Sequence, residues 1–240
     1  MDIPNVYDDS RRAETYAKLE FPGTYYLAYR DIPDIIAAHV TGRRALDFGC
    51  GTGRSTRFLK RLGFATIGID ISAEMVRQAM AQDPDGDYRL TDADGNLWPE
   101  ESSCDLVLSA FTFDNVPTVE QKIGLLTRLR RLLTGAGRIV NLVSSPEIYT
   151  HEWASFSTVD FPENQQAKSG DRVRIIITDT EDPRPVEDVV FSPEDYQRVY
   201  TASGLQIEAT YKPLAHPEEP YRWVNETKIA PWTIYVLKSA

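Results

Sequence analysis

Histidine and cysteine are scarce in this chain: three and two, respectively, among 240 residues. Two cysteines, Cys50 and Cys104, cannot build a disulfide framework, and neither they nor His39, His151 and His216 fall at zinc-ligand spacing, so no metal is expected. Positive charge is also in deficit, with 26 Lys and Arg against 36 Asp and Glu and a formal net charge of −10. Phosphate neutralisation supplies much of the affinity of nucleic-acid binders, which therefore show a basic face. The basic strips here are short, such as Arg54 to Arg61. No apolar run approaches the ~20 residues that cross a bilayer, and the opening "MDIPNVYDDSRRAETYAKLE" lacks the apolar core of a signal peptide. Internal repeats and low-complexity tracts are missing as well. The expected partner is a small molecule rather than a nucleic acid or a membrane. The expected location is cytoplasmic, with monomer and homodimer both open.

What remains is the composition of one globular domain with a real core, at 42% hydrophobic and 26% charged residues. "RALDFGCG" reads as a strand entering a tight turn, and "RSTRFLKRLG" as a helix stopped at Gly63. "ATIGID" is the next strand, with Ser72 as N-cap of the helix "AEMVRQAMAQ". "DYRLTDAD" and "CDLVLSAF" are a third and a fourth strand. "VEQKIGLLTRLRRLLTGAG" is a long amphipathic helix leading into the strand "GRIVNLVSS". Strands alternating with helices imply a doubly wound α/β sheet, mostly parallel. After Pro146 the rhythm breaks into a β-prone insertion holding "RVRIIITDT" and its hairpin partner "VEDVVF". It resumes with a helix capped by Ser192 and the strands "LQIEATYKPL" and "PWTIYVLKS". The expected organisation is a single domain: an N-terminal cap over residues 1–40, a cofactor-binding half over 41–145, an insertion or lid over 146–191 and closing strands over 192–240.

The glycines identify the ligand. A dinucleotide turn, G-x-G-x-x-G, wants a small third residue so that pyrophosphate can rest on the helix N-terminus. Here Gly49 and Gly51 are followed by Gly53 and then by Arg54 at the sixth position, and Asp47 precedes the turn. A carboxylate there repels a pyrophosphate but can hold an ammonium. No Gly-Lys-Ser/Thr follows, which excludes a P-loop.

"LDFGCGTG" with "GIDIS", "TDAD" and "CDLVLSAF" in this order resembles class I S-adenosylmethionine-dependent methyltransferases of the small-molecule type, over Arg43 to about Val143. The resemblance implies a Rossmann-like, seven-stranded sheet and S-adenosyl-L-methionine as cofactor, with S-adenosyl-L-homocysteine as product. It implies that the turn of Gly49, Gly51 and Gly53 approaches the methionine and ribose. Asp70 would take the ribose hydroxyls, Ile71 and Met75 would pack on the adenine, and Asp92 with Ala93 would read its amine. Ser109 would lie beside the methionine, and a tyrosine of the N-terminal segment, Tyr16, near its carboxylate.

Two residues are candidates for the chemistry. Asp114, in "FTFDNVP", stands where many family members carry a histidine, and could accept a proton or bind an amine. His151, in "YTHEWASF", follows the fifth strand and would be a natural base for a hydroxyl. The expected activity is in-line methyl transfer to an oxygen, nitrogen or carbon nucleophile of a small molecule. A non-catalytic cofactor-binding subunit and a protein methyltransferase are the alternatives.

Overall fold

The computed structural model describes residues 21–92 and 97–240. Helices α1 (Gly23–Arg30) and α2 (Ile32–His39) precede β1 (Arg44–Phe48), α3 (Arg54–Arg61), β2 (Ala65–Asp70), α4 (Ala73–Gln82), β3 (Asp87–Leu90), β4 (Cys104–Ala110), α5 (Val119–Leu132) and β5 (Leu133–Ser144). The insertion supplies β6 (Phe156–Ser157), β7 (Arg172–Ile177) and β8 (Val186–Val189). The chain returns through α6 (Pro193–Ala202), β9 (Leu205–Tyr211) and β10 (Trp232–Ser239).

Seven strands form one sheet in the order β3-β2-β1-β4-β5-β10-β9. The first five are mutually parallel, and β10 runs antiparallel to both β5 and β9. The chain winds outward from β1 through β2 and β3, then crosses back to β4. β1 and β4 therefore border the switch point, where doubly wound sheets open a crevice beyond their strand carboxyl ends.

The central strands read as continuous apolar runs because both faces are covered. Alternate residues of β4 and β5 divide between two cores, as the strand period of two requires. Leu106, Leu108, Val140 and Leu142 pack towards α1, α2 and the insertion. Val107, Ile139 and Val143 pack beneath α5 and α6. The helices start where short polar side chains accept backbone N–H groups, Ser72 from Met75, Thr118 from Gln121 and Ser192 from Asp195.

One boundary differs from the sequence reading. "LTGAG" is not the tail of α5 but the start of β5, with Leu133 paired to Cys104. Gly135 and Gly137 are poor helix formers, and the open edge of β4 offers strand partners instead.

The insertion forms a small antiparallel sheet in the order β6-β7-β8, with Arg172 opposite Val189 and Ile175 opposite Val186. A buried carboxylate ties it to the rest. Glu226 accepts from Thr24 Oγ1 and the backbone N–H of Ala154 (2.7 Å each), Val224 (2.8 Å) and Asn225 (3.1 Å). The aromatic residues Trp153 and Phe156 are part of the core. Among the described residues, no helix is long and apolar enough to cross a membrane.

Candidate active site

The glycine turn is held from below by β2, whose Ile69 carbonyl accepts from the N–H groups of both Gly49 and Cys50 (2.9 and 3.0 Å). All three glycines have positive φ, +72°, +52° and +79°. Their surroundings differ in an informative way. A Cβ on Gly49 would stand 2.2 Å from Thr112 Oγ1, and one on Gly53 would stand 2.7 Å from the Tyr88 hydroxyl. A Cβ on Gly51 would meet no heavy atom within 4 Å. Internal packing therefore accounts for Gly49 and Gly53, whereas the bare face of Gly51 borders open space.

Asp70 closes that space. Its carboxylate accepts from Gly51 N (2.8 Å) on one oxygen and from Ser72 N (2.9 Å) on the other. The next residue, Ile71, is 65% exposed, whereas Met75 is buried in the base of α4. Asp92 is exposed one residue after Thr91, whose N–H donates to the Asp70 carbonyl. Tyr16 and Ala93 lie outside the described residues. An aspartate at a strand end, an exposed aliphatic side chain beside it and an open glycine backbone suit a ribose, an adenine and the chain that joins them to sulfur. The donor set fits S-adenosylmethionine.

Asp47 lies deeper. It is fully buried, and one carboxylate oxygen accepts from both Ser55 Oγ (2.7 Å) and Thr56 Oγ1 (2.6 Å), which braces the start of α3 against β1. Among the described residues its other oxygen is buried without a hydrogen-bond partner, as is Ser109 Oγ at the neighbouring end of β4. Burial pushes the Asp47 carboxyl up to about 6, the two hydroxyls opposing that shift. Arg54, the charge that breaks the dinucleotide pattern, lies 5.0–5.6 Å from the ring centres of Phe21, Tyr25 and Tyr29. α1 thus packs against the glycine turn through its aromatic residues.

A second space adjoins the turn. Thr112, which abuts Gly49 and donates to the Phe48 carbonyl (2.9 Å), follows Phe111, a non-glycine residue at φ +64°. Such strain in an aromatic residue is uncommon, and here it reverses the chain so that Phe111 and Asp114 line a cleft. Tyr25, Phe156 and Trp232 supply further walls, with Tyr149 and Asp188 from the insertion. The rings touch one another: Phe111 and Trp232 centres are 4.8 Å apart, and Tyr25 and Phe156 centres 5.0 Å.

The polar groups of this cleft form one cluster. Asp114 is 4% exposed and accepts from Ser144 N (3.0 Å). The Tyr149 hydroxyl donates to Asp188 (3.1 Å). Burial raises both carboxyls above their ordinary range, and Asp188 is raised further by the charge of Asp114. Lys122 of α5 lies behind them, fully buried, donating to the Phe113 carbonyl. Burial lowers its ammonium to about 8, while the two aspartates oppose that fall.

Asp114 thus belongs to the cleft. His151 does not line it: its Nδ1 lies 3.0 Å from Thr150 Oγ1 and 3.1 Å from the Glu147 carbonyl, on the adjoining surface turn. Sequence reasoning did not single out Asp188, Lys122 or Tyr149. The only signal was acidic Asp188 within an otherwise β-prone "VEDVVF", too weak to separate a site from a solvated strand face.

The comparisons agree with this geometry. A family model described as a methyltransferase domain matches residues 46–141. A demethylmenaquinone methyltransferase of Tropheryma whipplei is 37% identical over 102 residues, 41% of either chain. A cypemycin N-terminal methyltransferase of a Streptomyces species is 27% identical over 168 residues, 68% of this chain and 66% of that one. The chain spans about two fifths of the length of the first curated relatives it matches. The CcbJ methyltransferase of Streptomyces caelestis shares the fold at a TM-score of 0.64 and 18% identity, over 92% of this chain and 100% of that one. With the glycine turn, Asp70 and the 3-2-1-4-5 parallel winding in place, residues 46–141 match a methyltransferase domain and the sheet has the Rossmann-like fold of class I S-adenosylmethionine-dependent methyltransferases.

Proposed function

We propose that this chain transfers a methyl group from S-adenosylmethionine to a nucleophile of a small molecule held in the aromatic cleft. The observation that carries this reading is the closeness of the cleft to the glycine turn: Thr112 abuts Gly49, and Phe111 beside it lines the cleft.

Gly51, Asp70 and Ile71 would hold the nucleoside and its chain, with Ser109 and Asp47 beneath. Bound there, the cofactor supplies a methyl group on a sulfonium, already activated for displacement. The protein's task is alignment, and holding two reactants in line is worth about 7–11 kcal/mol of barrier. The rings of Tyr25, Phe111, Phe156 and Trp232 fix the acceptor's body and keep water from the reacting atoms. Asp114, with its carboxyl raised by burial, takes a proton from the acceptor. The insertion closes one side of the cleft through Tyr149 and Asp188, the role of a lid.

The names of the relatives point to unlike acceptors, demethylmenaquinone in one and the N-terminus of cypemycin in another, so the acceptor is set by cleft residues outside the shared motifs. Titration calorimetry with S-adenosylhomocysteine tests the cofactor half. Micromolar binding that Asp70→Ala abolishes supports the reading. Absence of binding by folded protein would end it.

A further inference from the structure

The cleft carries a charge imbalance that its own residues do not correct. Two carboxylates, Asp114 and Asp188, face it, and the cation that acts on both is Lys122. Lys122 approaches from behind: it is fully buried, donates to the Phe113 carbonyl and lies 4.8 Å from the Phe191 ring centre, away from the cleft walls. Exposed Glu187 adds to the negative potential at Asp188. With all groups charged, the cluster is left one positive charge short.

The surroundings of the pair point the same way. Asp114 is 4% exposed, lines the cleft and accepts from Ser144 N, and the Ser144 and Tyr196 hydroxyls also act on its carboxylate. These donors are neutral, and bringing two carboxylates together out of water is costly unless a cation stands by. The same cleft is lined by four rings in mutual contact, Tyr25, Phe111, Phe156 and Trp232, and ring faces attract a cation. Aromatic walls and a carboxylate pair in one cleft are the recognition chemistry of an organic ammonium ion, and a poor seat for a carboxylate or phosphate ester.

Resting on the methyl-transfer reading, we propose that the acceptor is an amine, bound as its ammonium ion between the rings and the Asp114–Asp188 pair. The ammonium gives a proton to one of these carboxylates. The nitrogen lone pair then forms the new N–C bond to the methyl carbon as the C–S bond breaks. The sulfur keeps that electron pair as the neutral thioether of S-adenosylhomocysteine, and the positive charge passes to the methylated nitrogen. Carboxylates raised by burial are better proton acceptors than exposed ones. Asp188 is the better residue to test, because Asn can still accept from the Tyr149 hydroxyl and the fold is least disturbed.

The test compares two probes of one shape, choline and its uncharged carbon isostere 3,3-dimethylbutan-1-ol, by calorimetry with and without S-adenosylhomocysteine. Choline binding tighter than the isostere by about tenfold or more supports the proposal. So does a loss of about tenfold in choline binding in Asp188→Asn with the isostere unchanged and the melting temperature held. Equal binding of the two probes, no binding of choline, or an equal loss for both in the variant overturns it. Failure of S-adenosylhomocysteine to bind would instead strike the cofactor reading, since choline is also measured without it.

Discussion

The backbone N–H of Gly51 donates to the Asp70 carboxylate across 2.8 Å, 19 positions along the chain. The same carboxylate accepts from Ser72 N, so its orientation is fixed before any ligand arrives. That preorganisation makes Asp70→Ala more than the loss of a ligand contact. The variant should lose about 100-fold or more in S-adenosylhomocysteine affinity, from two charge-assisted hydrogen bonds worth roughly 1.5–3 kcal/mol each. It should also melt lower, because Gly51 N loses its acceptor. Calorimetry and a thermal scan read both. Unchanged affinity would remove Asp70 from the cofactor site.

Gly49 and Gly51 should separate stability from binding. Gly49→Ala drives a Cβ to 2.2 Å from Thr112 Oγ1 at φ +72°, and should destabilise the fold by about 2–4 kcal/mol. Gly51→Ala meets nothing in the protein, so its cost is the backbone strain alone, about 1 kcal/mol. Its methyl group occupies the space assigned to the cofactor. The expected result is a nearly normal urea midpoint with S-adenosylhomocysteine affinity lowered about tenfold or more. The reverse ranking would place the cofactor elsewhere.

Asp47 should make stability depend on pH. Its folded carboxyl, raised to about 6, lies above the unfolded value of 3.8, so folding takes up a proton between these values. Stability is therefore greatest below that window and falls as pH rises through it. Above about 6 the full cost of the buried charge, on the order of 3 kcal/mol, is present. Asp47→Asn should accordingly be more stable than wild type at pH 8, with the gain shrinking towards pH 4. Urea denaturation at the two pH values decides it, and a gain independent of pH would contradict the assignment.

Glu226 should be as important to the cleft as any residue lining it. It receives three N–H donors and one hydroxyl, and a glutamine amide must turn its own N–H groups towards some of them. Glu226→Gln is expected to cost about 2–4 kcal/mol and to lower the melting temperature by about 5–10 °C. Acceptor KM should rise while S-adenosylhomocysteine affinity holds. A change in both affinities together would mean that the two spaces are not separable.

These predictions divide along the same line as the legibility of the sequence. The glycine turn and its acid are written locally: a strand, three glycines and an acid after one helix and one return strand are fixed by short-range geometry. Asp70 and the turn could be found by spacing. The aromatic cleft is written at long range. Tyr149 and Asp188 meet across 39 positions, and Thr24 reaches Glu226 across 202, with no periodicity to announce either contact. The end of α5 was misread for a related reason: whether "LTGAG" is helix or strand depends on the free edge of β4, a partner that local propensity does not contain.

The placement of Trp232 has a consequence for the order in which the molecule is made. The indole forms part of the cleft wall, donates to the Thr24 carbonyl (2.8 Å) and lies at the start of the last strand. On the ribosome, residues through Ser144 can complete the five parallel strands and the glycine turn long before Trp232 is synthesised. The wall that Trp232 gives the cleft is therefore added only after the parallel strands and the glycine turn have been translated.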